Sequence, residues 1–415
     1  MILRARIVLP VTAPPIEDGA VFIVGNRIRS VVPFQDLRPH VRKQAVDLGE
    51  VILLPGLVNA HCHLDYTDMA GKLAPTKAFT DWIAAILAFK ADWSYSEYAR
   101  SWLRGAKQLL HTGTTTVADI EAMPALLPEV WETTPLRVIS FLEMTGIKSG
   151  RPPKEILGET VKKIDSLKHS RHRAALSPHA PYSTRGELLR LTANIARRRK
   201  IPVSIHVAES IQEFEMFSEA KGKMYQWLSR NGRDNSDCGL GSPVAHLARH
   251  QLLGENVIAV HVNYLARGDA TWLAKNRTHV VHCPRSHEYF GHCPFERERL
   301  ARAGVNICLG TDSLATTRKS GKPKPELDMF AEMRTLADED KSVSPEEILA
   351  MATVNGAHAL GLKSKIGELA PKAFADLIAI PFGGKVSQVH EGVLKHSGDV
   401  LASMIAGEWV IKPSR

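Results

Sequence analysis

The chain has 415 residues, 44% hydrophobic and 23% charged, an ordinary globular composition that excludes collagen-like, coiled-coil and low-complexity architectures. Basic residues exceed acidic ones by 53 to 44, a formal charge of +9. The one dense run, Arg197 to Lys200, reads better as the end of a helix starting near Gly186, where cations complement the dipole, than as a nucleic-acid patch, because no aromatic residues interleave it. No stretch approaches the 18 or more apolar residues of a spanning helix, and the N-terminus lacks a signal-peptide pattern, so no membrane association and a cytoplasmic location are expected. Five cysteines without a Cys-x-x-Cys pair fit reduced thiols rather than a disulfide framework.

In chain order, residues 1–55 alternate in β fashion, with turn signals at Ile16-Glu17-Asp18-Gly19 and Gly25-Asn26. Eight β-branched or apolar runs follow: Leu57–His63, Thr114–Asp119, Leu136–Glu143, Arg173–Ser177, Pro202–Val207, Val257–Val262, His279–His282 and Val305–Gly310. Amphipathic stretches such as Gly186–Arg199 and Pro345–Leu360 lie between or after them. Strand and helix signals alternating over roughly 300 residues predict a (β/α)8 barrel. Strands at Asp376–Pro381 and Val400–Ile411 complete the chain. The expected organisation is a catalytic barrel over 56–362 and a small discontinuous β-sandwich domain built from 1–55 and 363–415.

Polar residues gather at the C-terminal ends of the predicted strands, where barrel enzymes place their sites. His61 and His63, spaced i, i+2, point to one face of an extended strand and leave Cys62 facing the helices. Two imidazoles suit zinc or a similar metal, although a shuffled chain of this histidine content holds roughly one His-x-His by chance. His206-Val207-Ala208-Glu209, His261, His282 and Gly310-Thr311-Asp312-Ser313 end four further strands. Asp312, behind the apolar Ile307-Cys308-Leu309, is costly to bury unless it meets a cation or an imidazole, while Gly-Thr-Asp-Ser is also good turn chemistry.

With these residues the chain resembles the amidohydrolase superfamily, in its branch of adenosine-type, guanine and triazine deaminases or hydrolases. The resemblance spans nearly the whole chain. It rests on the order and spacing of Pro55-Gly56-Leu57-Val58-Asn59-Ala60-His61-Cys62-His63, Thr112-Gly113-Thr114-Thr115-Thr116-Val117, Ser177-Pro178-His179-Ala180-Pro181-Tyr182-Ser183, His206-Val207-Ala208-Glu209, His282-Cys283-Pro284, Gly310-Thr311-Asp312-Ser313 and Thr353-Val354-Asn355-Gly356-Ala357. It implies one divalent metal, zinc or sometimes iron, held by His61, His63, His206 and Asp312. No lysine stands at the end of the fourth strand, so a mononuclear site is implied.

A metal lowers the pKa of bound water toward about 7, supplying a nucleophile for a ring carbon bearing an amino group. The resemblance implies that Glu209 shuttles a proton to the ring nitrogen and the leaving ammonia, and that His261 with Asp312 takes the proton from water. It also implies that His179 contacts substrate and that the Asp81-Trp82 pair reads a ribose, against which Trp82 could simply pack an amphipathic Phe79–Phe89 helix.

Relatives usually follow His-Cys-Pro with x-Ser-Asn, whereas here Arg285-Ser286-His287 follows, then Tyr289 and His292. Arg285, His282 and His287 are therefore candidates for binding an anionic or polyhydroxylated tail, with a loop held by Tyr–His hydrogen bonds as the alternative. This run resembles the subgroup of aminodeoxyfutalosine deaminases of the alternative menaquinone pathway. The implied substrate is a small molecule, 6-amino-6-deoxyfutalosine ahead of S-adenosylhomocysteine, methylthioadenosine and adenosine. A triazine or guanine-type hydrolase is the competing enzyme, and a catalytically silent barrel scaffold the competitor of another class. The relatives also make a homodimer compatible with the chain.

Overall fold

Parallel strands covered on both faces are written as nearly continuous apolar runs, and Val257–Val262 and Ile307–Leu309 are of that kind. The computed structural model describes residues 1–147, 150–317 and 325–413. Five N-terminal strands come first: β1 (Ile2–Val8), β2 (Ile16–Val24), β3 (Arg27–Pro33), β4 (Ala45–Asp47) and β5 (Val51–Pro55). The barrel strands are β6 (Leu57–Cys62), β7 (Thr114–Glu121), β8 (Arg137–Met144), β9 (Arg173–Pro178), β10 (Val203–Val207), β11 (Val257–His261), β12 (His279–His282) and β13 (Ile307–Leu309). Each pairs in parallel with the next in sequence. A parallel bridge between Cys62 and Asp312 joins the two ends of this sheet, giving the barrel expected from the sequence. The seam is tight, because a Cβ on Gly310 would stand 2.8 Å from the main-chain oxygen of His61 and 2.9 Å from its nitrogen.

The chain ends return to the first five strands. β14 (Leu377–Pro381) pairs antiparallel with β5, and β15 (Ala402–Ile405) and β16 (Glu408–Ile411) extend the same sheet. The expected terminal β unit is thus one mixed eight-stranded sheet with its own apolar cluster, including Leu3, Val21, Leu53, Leu377 and Met404. It is tied to the barrel by a buried ion pair in which Arg137 donates from Nε and Nη2 to Asp376 Oδ2, at 3.2 and 2.9 Å.

Helices cover the barrel where the sequence periodicity placed them, among them Phe79–Phe89 and Gly186–Arg199. Arg199 closes the latter and pairs with Asp165 at 2.5 Å, as a solvated helix end does. The stretch 345–360 is not one helix but two, Pro345–Met351 and Val354–Ala359. The break follows from the barrel, since the Ala352 carbonyl accepts from Val58 N at 2.9 Å. Among the described residues no helix is long and apolar enough to cross a membrane, and all five cysteines are free.

Candidate active site

The barrel gathers four of its strand ends at one point. His61 ends β6 with His63 just beyond, His206 lies on β10, Glu209 follows it, His261 ends β11, and Asp312 follows β13. Several of these turns leave ordinary backbone geometry: Ala208, His261, Val262 and Asp312 have φ of 50°, 73°, 51° and 52°. Non-glycine residues in this region store strain that the surrounding hydrogen bonds hold in place. Here Val262 N donates to Val207 O and Asn263 N to Ala208 O, both at 3.0 Å.

The side chains converge. His63 Nε2 stands 3.3 Å from His206 Nε2, and the Nε2 atoms of His61 and His63 each lie 3.6 Å from Asp312 Oδ1. His61, His63 and His206 form one set with ligand atoms all within 4.8 Å, and His61, His261 and Asp312 form another. Burial, helped by neighbouring imidazoles, lowers the pKa of His61 far below the usual histidine range and that of His206 to about 4. These rings are therefore neutral, the form that ligates metals. Both ring nitrogens of His61 are buried without a hydrogen-bond partner. Leaving such groups unpaired costs about 1–3 kcal/mol each, and a coordinated cation relieves the cost at Nε2. The residues thus fit a divalent metal.

Glu209 Oε1 lies 3.6 Å from His261 Nε2. Burial, reinforced by the charges of Asp312 and Glu213, raises the Glu209 pKa well above the usual carboxylate range. A shell of polar residues that drew no role from the sequence braces these groups. Ser286 donates to Asp312 Oδ2 at 2.6 Å, and Asn59 clamps Thr311 through both ends of its amide, at 2.7 and 3.1 Å. Glu209 N donates to Glu213 at 2.9 Å, and Asn263 Nδ2 donates to Glu209 O at the same distance. Asn59, Ser286 and Thr311 stand within the sequence motifs around the candidate ligands, whereas Glu213 and Asn263 carried no signal beyond polarity near a strand end.

The cluster opens into a cavity of about 270 Å³. One wall is apolar, made of Trp82, Ile83, Ile86 and Leu87 from the Phe79–Phe89 helix together with Trp227 and Leu228. His179 and Trp82 line it as expected, and so do Glu143 and Lys90, which sequence reasoning missed.

Four expected substrate contacts do not line it. Asp81 is exposed at the start of its helix, where its charge complements the helix dipole. Arg285 Nε lies 3.5 Å from Glu332 Oε1, and its Nη1 donates to the Glu326 carbonyl at 2.9 Å. His282 stacks on Phe295 with centroids 4.0 Å apart. His287 Nδ1 contacts Asn263 Oδ1 at 3.1 Å and so supports the Glu209 turn from behind. The loop after β12 is held in part by a 3.1 Å hydrogen bond between His292 and Tyr264, a tyrosine outside that run, where the alternative reading had looked to its own Tyr289.

Comparison with known proteins agrees with this architecture. The family model described as "Amidohydrolase family" matches residues 52–410, and the chain belongs to that family. It is 32% identical over 379 residues, 88% of this chain and 80% of the relative, to a 5-methylthioadenosine/S-adenosylhomocysteine deaminase of Syntrophobacter fumaroxidans. A crystal structure of an adenosine deaminase from Xanthomonas campestris with bound zinc superimposes with a TM-score of 0.82 at 25% identity, covering 99% of this chain and 92% of that one. Helicobacter pylori aminofutalosine deaminase shares the fold, with a TM-score of 0.85 at 21% identity and coverage of 99% and 100%. Family and relatives make the protein a hydrolytic enzyme of the deaminase type.

Proposed function

We propose that the protein is a metal-dependent deaminase of adenine nucleosides whose 5′ substituent is apolar. The observation that carries this reading is the placement of the His61, His63, His206, Asp312 and Glu209 cluster in a cavity with a wall of Trp82, Ile83, Ile86, Leu87, Trp227 and Leu228. The two tryptophans and four aliphatic side chains suit a methylthio group better than an ionised tail.

In this reading His61, His63, His206 and Asp312 hold one divalent ion, for which zinc is the assignment. The ion, when bound, polarises water for attack on the purine C6. Glu209, kept protonated by its burial, donates to the ring nitrogen beside C6, then takes the proton of the new C6 hydroxyl as the C6=O bond forms and passes it to the departing amine. His261, neutral and beside Glu209, accepts the proton that the attacking water loses. Water oxygen bonds to C6, the C6–N bond breaks, and the products are the 6-oxopurine nucleoside and ammonia. His179, fixed by a 2.5 Å contact between its Nδ1 and Ser183 Oγ, presents Nε2 to the substrate.

The expectation of a carboxylated tail rested on Arg285, and Glu332 holds that residue away from the cavity. Lys90, whose ammonium bonds the Tyr66 hydroxyl, supports 6-amino-6-deoxyfutalosine as the second reading. The test is ammonia release by metal-replete protein from methylthioadenosine, S-adenosylhomocysteine, adenosine, 6-amino-6-deoxyfutalosine and guanine. A kcat/KM above about 10⁴ M⁻¹s⁻¹ with methylthioadenosine as the best substrate supports the proposal. Turnover of guanine alone overturns it.

A further inference from the structure

Glu143 is a cavity carboxylate that neither the metal cluster nor the proton path employs. Along β8 the pleat sends Val138 and Leu142 into the helix-side apolar cluster and Ile139 and Phe141 into the barrel cluster, and Glu143 continues the latter face into the cavity. Its side chain is 16% exposed, and the contact it makes with a basic side chain, His179 Nε2, is 3.8 Å long. That exceeds a hydrogen bond, and no described residue donates to this carboxylate. A carboxyl group drawn this far out of water calls for hydrogen-bond partners, and a ligand in the cavity can bring them.

The position restricts which part of a ligand that is. His179, the neighbour of Glu143, gives its carbonyl to His206 N at 3.0 Å and so stands against the metal cluster. The same cavity holds the apolar wall that takes the 5′ substituent in the reading above. In a nucleoside the sugar lies between base and 5′ substituent, and its vicinal hydroxyls offer two donors to the two oxygens of one carboxylate. An ammonium at the far end of an amino-acid tail would lie beyond the apolar wall.

We infer that Glu143 reads the ribose 2′,3′-diol, the role the sequence had pointed to Asp81 for. The inference rests on the deaminase reading and deepens it, making Glu143 a specificity-determining residue.

The experiment compares the parent enzyme and Glu143→Gln, both metal-loaded, on adenosine, 2′,3′-dideoxyadenosine and S-adenosylhomocysteine. The expected result is a loss of about 10- to 100-fold in kcat/KM on adenosine and S-adenosylhomocysteine, carried mainly by KM, with 2′,3′-dideoxyadenosine changed less than about 3-fold. Binding of inosine and 2′,3′-dideoxyinosine by calorimetry gives the same comparison without turnover. An equal loss on ribo- and dideoxy-substrates overturns the inference, as does a loss confined to S-adenosylhomocysteine, which would make Glu143 a reader of the tail ammonium. In both cases the deaminase reading stands. A parent enzyme inert toward every adenine nucleoside removes both.

Discussion

His206 donates from Nδ1 to the main-chain carbonyl of His179 at 2.9 Å. A carbonyl can only accept, so the proton sits on Nδ1 and Nε2 is left bare toward His63 and Asp312. One backbone oxygen thereby sets both the tautomer and the direction of a proposed ligand.

Because that acceptor belongs to the main chain, His179→Ala should keep a full complement of metal while kcat/KM falls at least about 10-fold. His63→Ala should lose metal. Metal analysis of the two purified variants separates these effects, and full occupancy in His63→Ala would show that the ligand set is wrong.

Glu209→Gln preserves shape and removes the transferable proton. Its rate should drop by about 10²- to 10⁴-fold with metal content and melting temperature unchanged. Unaltered turnover would remove Glu209 from the proton path.

Gly310 has no room for a side chain against the His61 backbone. Gly310→Ala should destabilise the fold by about 1–3 kcal/mol and weaken metal retention together, because the intruding methyl shifts a proposed ligand. Denaturant titration and competition with a chelator measure the two; a stability loss with unchanged metal affinity would mean that the seam yields elsewhere.

Asp376 is buried, with Arg137 as its cationic partner and the Ala406 N–H donating to its other oxygen at 2.6 Å. Arg137→Ala should cost about 3–5 kcal/mol, since it strands a charge in the interior. The double variant Arg137→Met with Asp376→Leu should recover much of that loss, and equal stability of the single and double variants would contradict this account.

His172 receives the Val138 N–H at Nδ1, 3.2 Å, and donates from Nε2 to the Trp131 carbonyl at 3.0 Å. A second proton has no place on this ring, and burial, aided by the charge of neighbouring His169, lowers its pKa to about 3. The unfolded chain takes up that proton near 6.5, so the stability His172 contributes is present above that pH and fades as pH falls toward 3. NMR should find the ring neutral at pH 5; a folded-state titration near 6 would refute the assignment.

The barrel was legible because strands buried on both faces leave apolar runs in the sequence, and polar residues at their ends stand out against them. Side-chain direction beyond the strands was not. Arg285 and His287 lie on a helix, Pro284–Phe290, that begins one residue after Cys283 and turns Arg285 toward Glu332, 47 residues away. Asp81 and Trp82 are adjacent on a helix whose cavity stripe is Trp82, Ile83, Ile86 and Leu87, and Asp81 lies off that stripe, exposed in the first turn. Glu143 was readable in principle from its alternation with Ile139 and Phe141, but a single carboxylate at a strand end matches no motif.

The seam between Cys62 and Asp312 also has a meaning in time. Asn59 and Thr311, which brace it, are 252 residues apart. At translation speeds of about 5–20 residues per second, the first histidines leave the ribosome roughly 10 to 50 s before Asp312 is synthesised. No nascent fragment shorter than this can assemble the cluster, so the proposed metal site is complete only late in the protein's birth.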